Sequence, residues 1–308
     1  MIKTISKFTL AILGISFISL ILSCDPDTNE DTVIAETQSK TFDHGGLSRD
    51  YLLYLPTNLP ADAPLVFVLH GYSGSSNLIR NYSAMNALAN QYGFAVCYPQ
   101  GIKDDQNNSF WNVGYDFHQN QTVNDSDFLK SLANALQTEH NLSRKFTFAT
   151  GMSNGGDMCY MLACEQSETF KAVAPVAGTL MKRIYDVCPK NAVPVFEIHG
   201  DNDTISLWEG DLENVDGYGP YLPVLDTFNF WVQQNDCTTS TTSNLPNTDT
   251  SDNSTVTSEK YTSGTNNNEV WLYRINNGGH DWPGNSGNKD INASAEIWNF
   301  FDNYIKNN

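Results

Sequence analysis

Short, unbroken apolar runs punctuate the chain at 65–69 (Leu65-Val66-Phe67-Val68-Leu69), 94–98, 146–149, 172–177 and 193–198. Runs of that length without polar alternation are the signature of strands buried on both faces. Between them lie stretches with helical spacing, over about 77–91, 125–139, 155–166, 222–235 and 291–306. In the second of these, Phe128, Leu129, Leu132 and Leu136 share one face, and Asn124 or Asp125 stands where an N-cap belongs. A strand is also expected over 45–56, closed by Pro56, and a last one over 270–275. Strands alternating with helices predict an α/β fold, a mostly parallel central sheet with helices on both faces. The Thr-, Ser- and Asn-rich stretch 238–267 reads as a surface excursion with one strand near 256–261.

The first residues follow a different pattern. Lys3 and Lys7 precede an almost wholly apolar run, 8–22, which is short for a bilayer span, and Asp25, Asp27, Glu30 and Asp31 follow at once. That is the layout of an export signal rather than of a membrane-spanning helix. The run ends Ile21-Leu22-Ser23-Cys24, which resembles a bacterial lipoprotein signal. The expectation is a lipid on Cys24 and a domain anchored at the cell envelope, with plain secretion after cleavage near Ser23 as the alternative. Residues 24–40, acidic and without periodicity, are expected to be a flexible tether, and 41–308 a single α/β domain.

Charge narrows the partners. Seventeen Lys and Arg face 35 Asp and Glu, a formal charge of −18. Such a surface repels phosphate backbones, so nucleic acid is excluded as a partner, and a membrane is expected only through the lipid anchor. No histidine or cysteine cluster has metal-site spacing, so no metal and no cofactor are expected.

The sharpest local pattern is Gly151-Met152-Ser153-Asn154-Gly155-Gly156, between an apolar run and a helix. Gly-x-Ser-x-Gly in that setting is a nucleophile elbow: the turn projects Ser153 Oγ into a cleft, and the helix that follows aims free N–H groups at developing negative charge. A serine nucleophile needs a base, and the base an orienting acid. Asp201 and Asp203 follow the run 193–198; Asp203, further into the loop, is the preferred acid. A calcium loop is excluded there because Ile205 stands where an oxygen ligand is needed. His280, in the Gly-rich segment after the last strand, is the expected base, while His70 and His199, each before a glycine, read as loop braces. The backbone N–H groups of Asn154 and Tyr72 are the expected oxyanion donors.

At this point the chain resembles the polyhydroxybutyrate-depolymerase-like esterases, which overlap the family-1 carbohydrate esterases. The matching pieces include Arg49-Asp50-Tyr51, His70-Gly71, Trp111-Asn112, the elbow, Ala174-Pro175-Val176-Ala177-Gly178, His199-Gly200 with Asp203, Gly279-His280-Asp281-Trp282-Pro283-Gly284 and Ile297-Trp298-Asn299-Phe300-Phe301. The resemblance implies an α/β-hydrolase fold, export, no cofactor, and Ser153, Asp203 and His280 as a catalytic triad. Feruloyl or acetyl esters of polysaccharide are the expected substrates, with polyhydroxybutyrate or its oligomers second. Insoluble polyester usually demands a separate adsorption domain, and none is expected in the short stretch after His280. A catalytically retired glycan-binding surface protein is the alternative from another class. Trp111, Trp208, Tyr221 and Trp282 are the candidate substrate platforms. Segment 207–222 is longer than the resemblance leads one to expect and is a candidate lid or cleft wall. Relatives often carry a cysteine near Thr265 that is missing here, which leaves disulfide pairing open. Cys164–Cys188 competes with a bond from Cys237, while Cys159 and Cys164 face apart on one helix.

Overall fold

A computed structural model describes residues 35–308; the export signal and Cys24 lie outside the described residues. In chain order the elements are β1 (Thr37–His44), β2 (Leu47–Tyr54), β3 (Leu65–Leu69), α1 (Ser76–Ser83), α2 (Met85–Tyr92), β4 (Ala95–Pro99), β5 (Ile102–Lys103), β6 (Ser109–Phe110) and α3 (Asp125–Glu139). Then come β7 (Thr147–Met152), α4 (Asn154–Glu165), β8 (Ala172–Val176), α5 (Lys182–Tyr185), β9 (Val195–Gly200), α6 (Val224–Gln234), β10 (Thr239–Asn244), β11 (Thr255–Thr262), β12 (Val270–Asn276) and α7 (Ala293–Asn307).

Ten strands form one sheet in the order β1-β2-β4-β3-β7-β8-β9-β12-β11-β10. The six from β4 to β12 run parallel, and antiparallel pairs flank them on both sides. The alternation of strands and helices on a largely parallel sheet is the α/β-hydrolase arrangement the sequence implied. Both faces of the parallel core are covered, which explains the unbroken apolar runs. In β3, Leu65, Phe67 and Leu69 point to one layer with Phe128 and Leu132 of α3 and Leu162 of α4. Val66 and Val68 point to the other with Ala89 of α2 and Trp298 and Phe301 of α7. Phe148 stacks on Phe301 at 4.6 Å and Phe94 on Trp298 at 3.9 Å.

Three expectations change. Residues 37–40, placed in the tether, begin β1, which pairs with β2 over its whole length. β1 is an edge strand whose side chains are half-buried or exposed, so hydrophobicity does not reveal it. β10 is wholly exposed and made of Thr, Ser and Asn, and is invisible for the same reason. The helix expected over 77–91 is two helices, α1 and α2, broken at Ala84, whose φ of 49° lies in the left-handed region. Cys164 and Cys188 form a disulfide at the end of α4 far from the elbow, while Cys97, Cys159 and Cys237 are free. Among the described residues no helix is long and apolar enough to cross a membrane.

Candidate active site

The turn between β7 and α4 confines its own sequence. Ser153 has φ 56° and ψ −125°, a conformation that costs a non-glycine residue about 1–3 kcal/mol and persists only where the surroundings hold it. Its N–H donates to Val176 O at 2.9 Å, and its carbonyl accepts from Asp157 N at 2.9 Å. Two glycines make the turn sterically feasible: a Cβ on Gly151 would lie 2.6 Å from Gly155 O, and one on Gly155 would lie 2.4 Å from Leu69 O.

The loop after β3 crosses in front of the serine. A Cβ on Gly71 would lie 3.3 Å from Ser153 Cβ and 3.9 Å from its Oγ, so the His70-Gly71-Tyr72 turn is packed against the hydroxyl. Buried His70 fixes that turn: its Nδ1 lies 2.8 Å from Gly71 O, and its Nε2 accepts from Gly101 N at 3.0 Å. Burial holds the His70 imidazole down to about 4, so it stays neutral, as that accepted bond requires. Asn154 opens α4, and an N–H in a first helical turn has no intrahelical acceptor. Its side chain is locked in the other direction, accepting from Trp111 N at 2.7 Å and donating to Trp111 O at 3.0 Å.

The acid and the imidazole come from the ends of β9 and β12. Asp203 Oδ2 lies 2.7 Å from His280 Nδ1, and Asp203 Oδ1 accepts from Ile205 N and Ser206 N at 2.8 and 2.9 Å. Burial opposes ionisation of Asp203, but His280, with His199 and the Ile205 N–H, outweighs it and holds the carboxyl below the usual range. Asp201 has another task. It pairs with Arg274 at 2.7 Å and accepts from Asn277 N at 2.7 Å, bracing the turn that leads to His280.

Ser153 and His280 line one cavity of about 230 Å³, with Tyr72, Tyr115, Asp157, Thr179, Ile205, Ser206, Tyr218 and Tyr221. One wall is aromatic: the lining rings of Tyr115 and Tyr218 meet at 5.4 Å, and Phe117, 44% exposed and outside the lining, packs on Tyr72 at 5.7 Å, Tyr115 at 5.2 Å and Tyr218 at 5.6 Å. The floor is polar. Asp157, one helical turn after Ser153, accepts from the Tyr115 hydroxyl on Oδ2 and from Thr179 N and Oγ1 on Oδ1. Burial pushes its carboxyl up to about 7; those hydrogen bonds offset part of the rise, and the charge of Glu197 adds to it.

Of the four aromatic residues proposed as platforms, Tyr221 lines the cavity and three do not. Trp111 is fully buried, and its Nε1 donates to His70 O at 2.9 Å. Trp282 is buried in the opposite layer and donates to Ser294 Oγ at 3.0 Å. Trp208 is buried, with the Arg274 guanidinium 4.8 Å over its ring and His199 edge-on to it at 6.0 Å. Large flat rings fill core space as readily as they line clefts, and the indole N–H groups of Trp111 and Trp282 are committed to partners inside the fold. Segment 207–222 is a wall rather than a loose flap: Asp211 accepts from Val215 N and Asp216 N, and Tyr221 bridges to both Met181 and Asp211. Tyr115, Asp157 and Thr179 were not anticipated. An acid at the fourth position after the serine, ahead of the apolar run 158–164, was the available signal for Asp157. Among the described residues no group of three or more His, Cys, Asp or Glu is placed to hold a metal ion.

Comparison with known proteins adds to this geometry. The family described as Esterase PHB depolymerase matches residues 49–218, more than half of the chain. The putative esterase NocK of Nocardia uniformis subsp. tsuyamanensis is 30% identical over 57% of this chain and 51% of its own. The bifunctional acetylxylan esterase/xylanase XynS20E of Neocallimastix patriciarum is 28% identical over 55% of this chain and 24% of its own. The chain thus spans about half or less of the length of these curated relatives. The solved structure of an acetyl xylan esterase from Aspergillus awamori superposes with a TM-score of 0.61 at 16% identity, covering 87% of this chain and 99% of that one, a likeness of fold. An elbow serine, an Asp–His pair and a match over more than half its length make this chain a member of the Esterase PHB depolymerase family.

Proposed function

We propose that this protein is a serine esterase that cleaves carboxylic esters through an acyl-enzyme. The observation that carries the reading is the 2.7 Å Asp203–His280 contact at the rim of the cavity that holds Ser153 on its elbow. His280 takes the Ser153 proton as Oγ attacks the ester carbonyl, and Asp203 holds the imidazole in the tautomer with Nδ1 protonated. The backbone N–H groups of Asn154 and Tyr72 receive the oxyanion, each contributing about 3 kcal/mol to the barrier reduction. His280 then protonates the departing alcohol, and water, activated by the same imidazole, releases the acid.

The cavity supports a particular ester. A wall of Tyr72 and Tyr218, both packed on Phe117, suits a flat ring, and the Tyr115–Asp157 floor suits a hydroxyl group on that ring. Together they favour a hydroxycinnamoyl ester such as ferulate over acetate, and the acetylxylan-esterase relatives make a polysaccharide the natural alcohol. The second reading is hydrolysis of polyhydroxybutyrate or its oligomers, which the family's description and the 48% exposed Ile205 beside the cavity favour. The lipoprotein-type signal ending in Cys24 supports export and an envelope anchor. Hydrolysis of methyl ferulate, acetylated xylan and hydroxybutyrate oligomers, each with a Ser153→Ala control, tests this. Methyl ferulate is expected to turn over fastest and the variant to lose nearly all activity; activity that survives in the variant contradicts the reading.

A further inference from the structure

Behind Asp203 lies a second histidine–carboxylate pair that the mechanism above does not use. Glu197 and His199 lie two residues apart on β9, so they point to the same face of the sheet, and both are almost wholly buried. His199 Nδ1 lies 2.8 Å from Glu197 Oε1, and His199 Nε2 lies 2.8 Å from the carbonyl of Ser206. The remaining Glu197 contacts are the Tyr160 hydroxyl on Oε2 at 2.6 Å and Gly178 N on Oε1 at 3.3 Å.

These contacts count protons. A carbonyl only accepts, so His199 Nε2 carries a hydrogen. Nδ1 faces a carboxylate oxygen, and two acceptors cannot share a 2.8 Å contact without a proton between them. Glu197 also accepts from Tyr160 and Gly178, and the Asp203 carboxylate faces His199 Nε2, so that proton sits on Nδ1, giving imidazolium and carboxylate. The pair thus holds one proton more than an ordinary glutamate and a neutral histidine would. The Glu197 contact and the Asp203 charge raise His199 against its own burial, while burial raises Glu197 against the hydrogen bonds it accepts.

Ser206 links the pair to the reacting groups. Its carbonyl accepts from His199, and its N–H donates to Asp203 Oδ1 at 2.9 Å. His199 Nε2 also lies 3.7 Å from Asp203 Oδ2, the oxygen that meets His280. We infer that Glu197 and His199 are positioning residues: a pair protonated throughout the working range that pins the Asp203 loop through Ser206 and turns a positive edge toward the Asp203 carboxylate. The inference rests on the assignment of Asp203 and His280 as acid and base. The other groups facing the pair are Asp157, Cys159 and Tyr160 on α4, and Arg274 on β12, whose guanidinium lies over Trp208 beside His199.

Two arms test this. In the wild-type protein, 15N spectra of the histidine rings are expected to show Nε2 of His199 protonated and no titration of that ring between about pH 5 and pH 8. A ring that titrates within this window overturns the proton count. The second arm uses Glu197→Gln, whose amide can donate to Nδ1 of a neutral His199 while Nε2–H still holds Ser206. With the positive edge gone, Asp203 binds the imidazolium of the base more tightly. The acid limb of kcat/KM is then expected to move up by roughly 0.5–1 pH unit, with the plateau within a few-fold of wild type. His199→Leu, which also removes the Ser206 anchor, is expected to lower kcat by roughly 10-fold or more with little change in KM. An acid limb that stays in place in Glu197→Gln overturns the coupling, whether or not the plateau falls. The nitrogen spectra need no substrate, so they decide the proton count even if the esterase reading fails.

Discussion

Asp203, and not its neighbour Asp201, reaches His280: Asp203 Oδ2 lies 2.7 Å from the imidazole, whereas Asp201 is committed to Arg274 and Asn277. Two carboxylates in one short loop therefore divide the work. Asp203→Asn is expected to lower kcat by roughly 10⁴-fold with the fold intact, because the amide stabilises the wrong imidazole tautomer. Asp201→Asn, which only loosens a brace, is expected to cost far less. Steady-state kinetics of the two variants on one aryl ester check this.

Asp157 links the cavity floor to stability. Its carboxyl is raised from 3.8 to about 7 by burial. A raised carboxyl favours the folded state in its protonated form, so its contribution is complete below about pH 4 and is lost as pH rises through about 7. The full shift corresponds to a ceiling of roughly 4 kcal/mol. Asp157→Asn is expected to flatten the dependence of Tm on pH between those values and to raise Tm at pH 8. Thermal unfolding across the range provides the check.

Tyr218 and Trp282 separate cleft from core. Tyr218→Ala removes part of the aromatic wall and is expected to raise KM for an aryl ester with a small change in Tm. Trp282→Ala empties a buried site, at a cost of about 3–5 kcal/mol, with no selective change among substrates. Paired measurements of KM and Tm distinguish the two roles.

The disulfide is expected to matter for stability alone. Cys164 and Cys188 close a loop of 24 residues at the end of α4 remote from Ser153. Cys164→Ser is expected to cost about 3 kcal/mol and leave kcat unchanged. Denaturant unfolding and kinetics of the same variant measure both.

Much of this arrangement was legible in the residues because sterics leave few choices. Gly151 and Gly155 are the residues the elbow tolerates, and their spacing around Ser153 announces the turn. The parallel core was legible because both of its faces are buried, which writes an unbroken apolar run into each strand. β1 and β10 were not, since an edge strand facing water keeps a polar sequence indistinguishable from a loop. The indoles of Trp111, Trp208 and Trp282 misled because ring size does not say which side of a wall the ring occupies. Asp157 was missed because its meaning depends on the helical turn that sets it beneath Ser153, and on Tyr115 and Thr179, which arrive from distant loops.

The central claim is that one hydroxyl, on Ser153, is made a nucleophile by His280 and Asp203. Intact-mass analysis after brief exposure to a fluorophosphonate measures it directly. The wild-type protein is expected to gain a single adduct that peptide mapping locates on Ser153, Ser153→Ala to gain none, and His280→Ala to react far more slowly. A wild-type protein that stays unlabelled, or an adduct that persists in Ser153→Ala, contradicts the account.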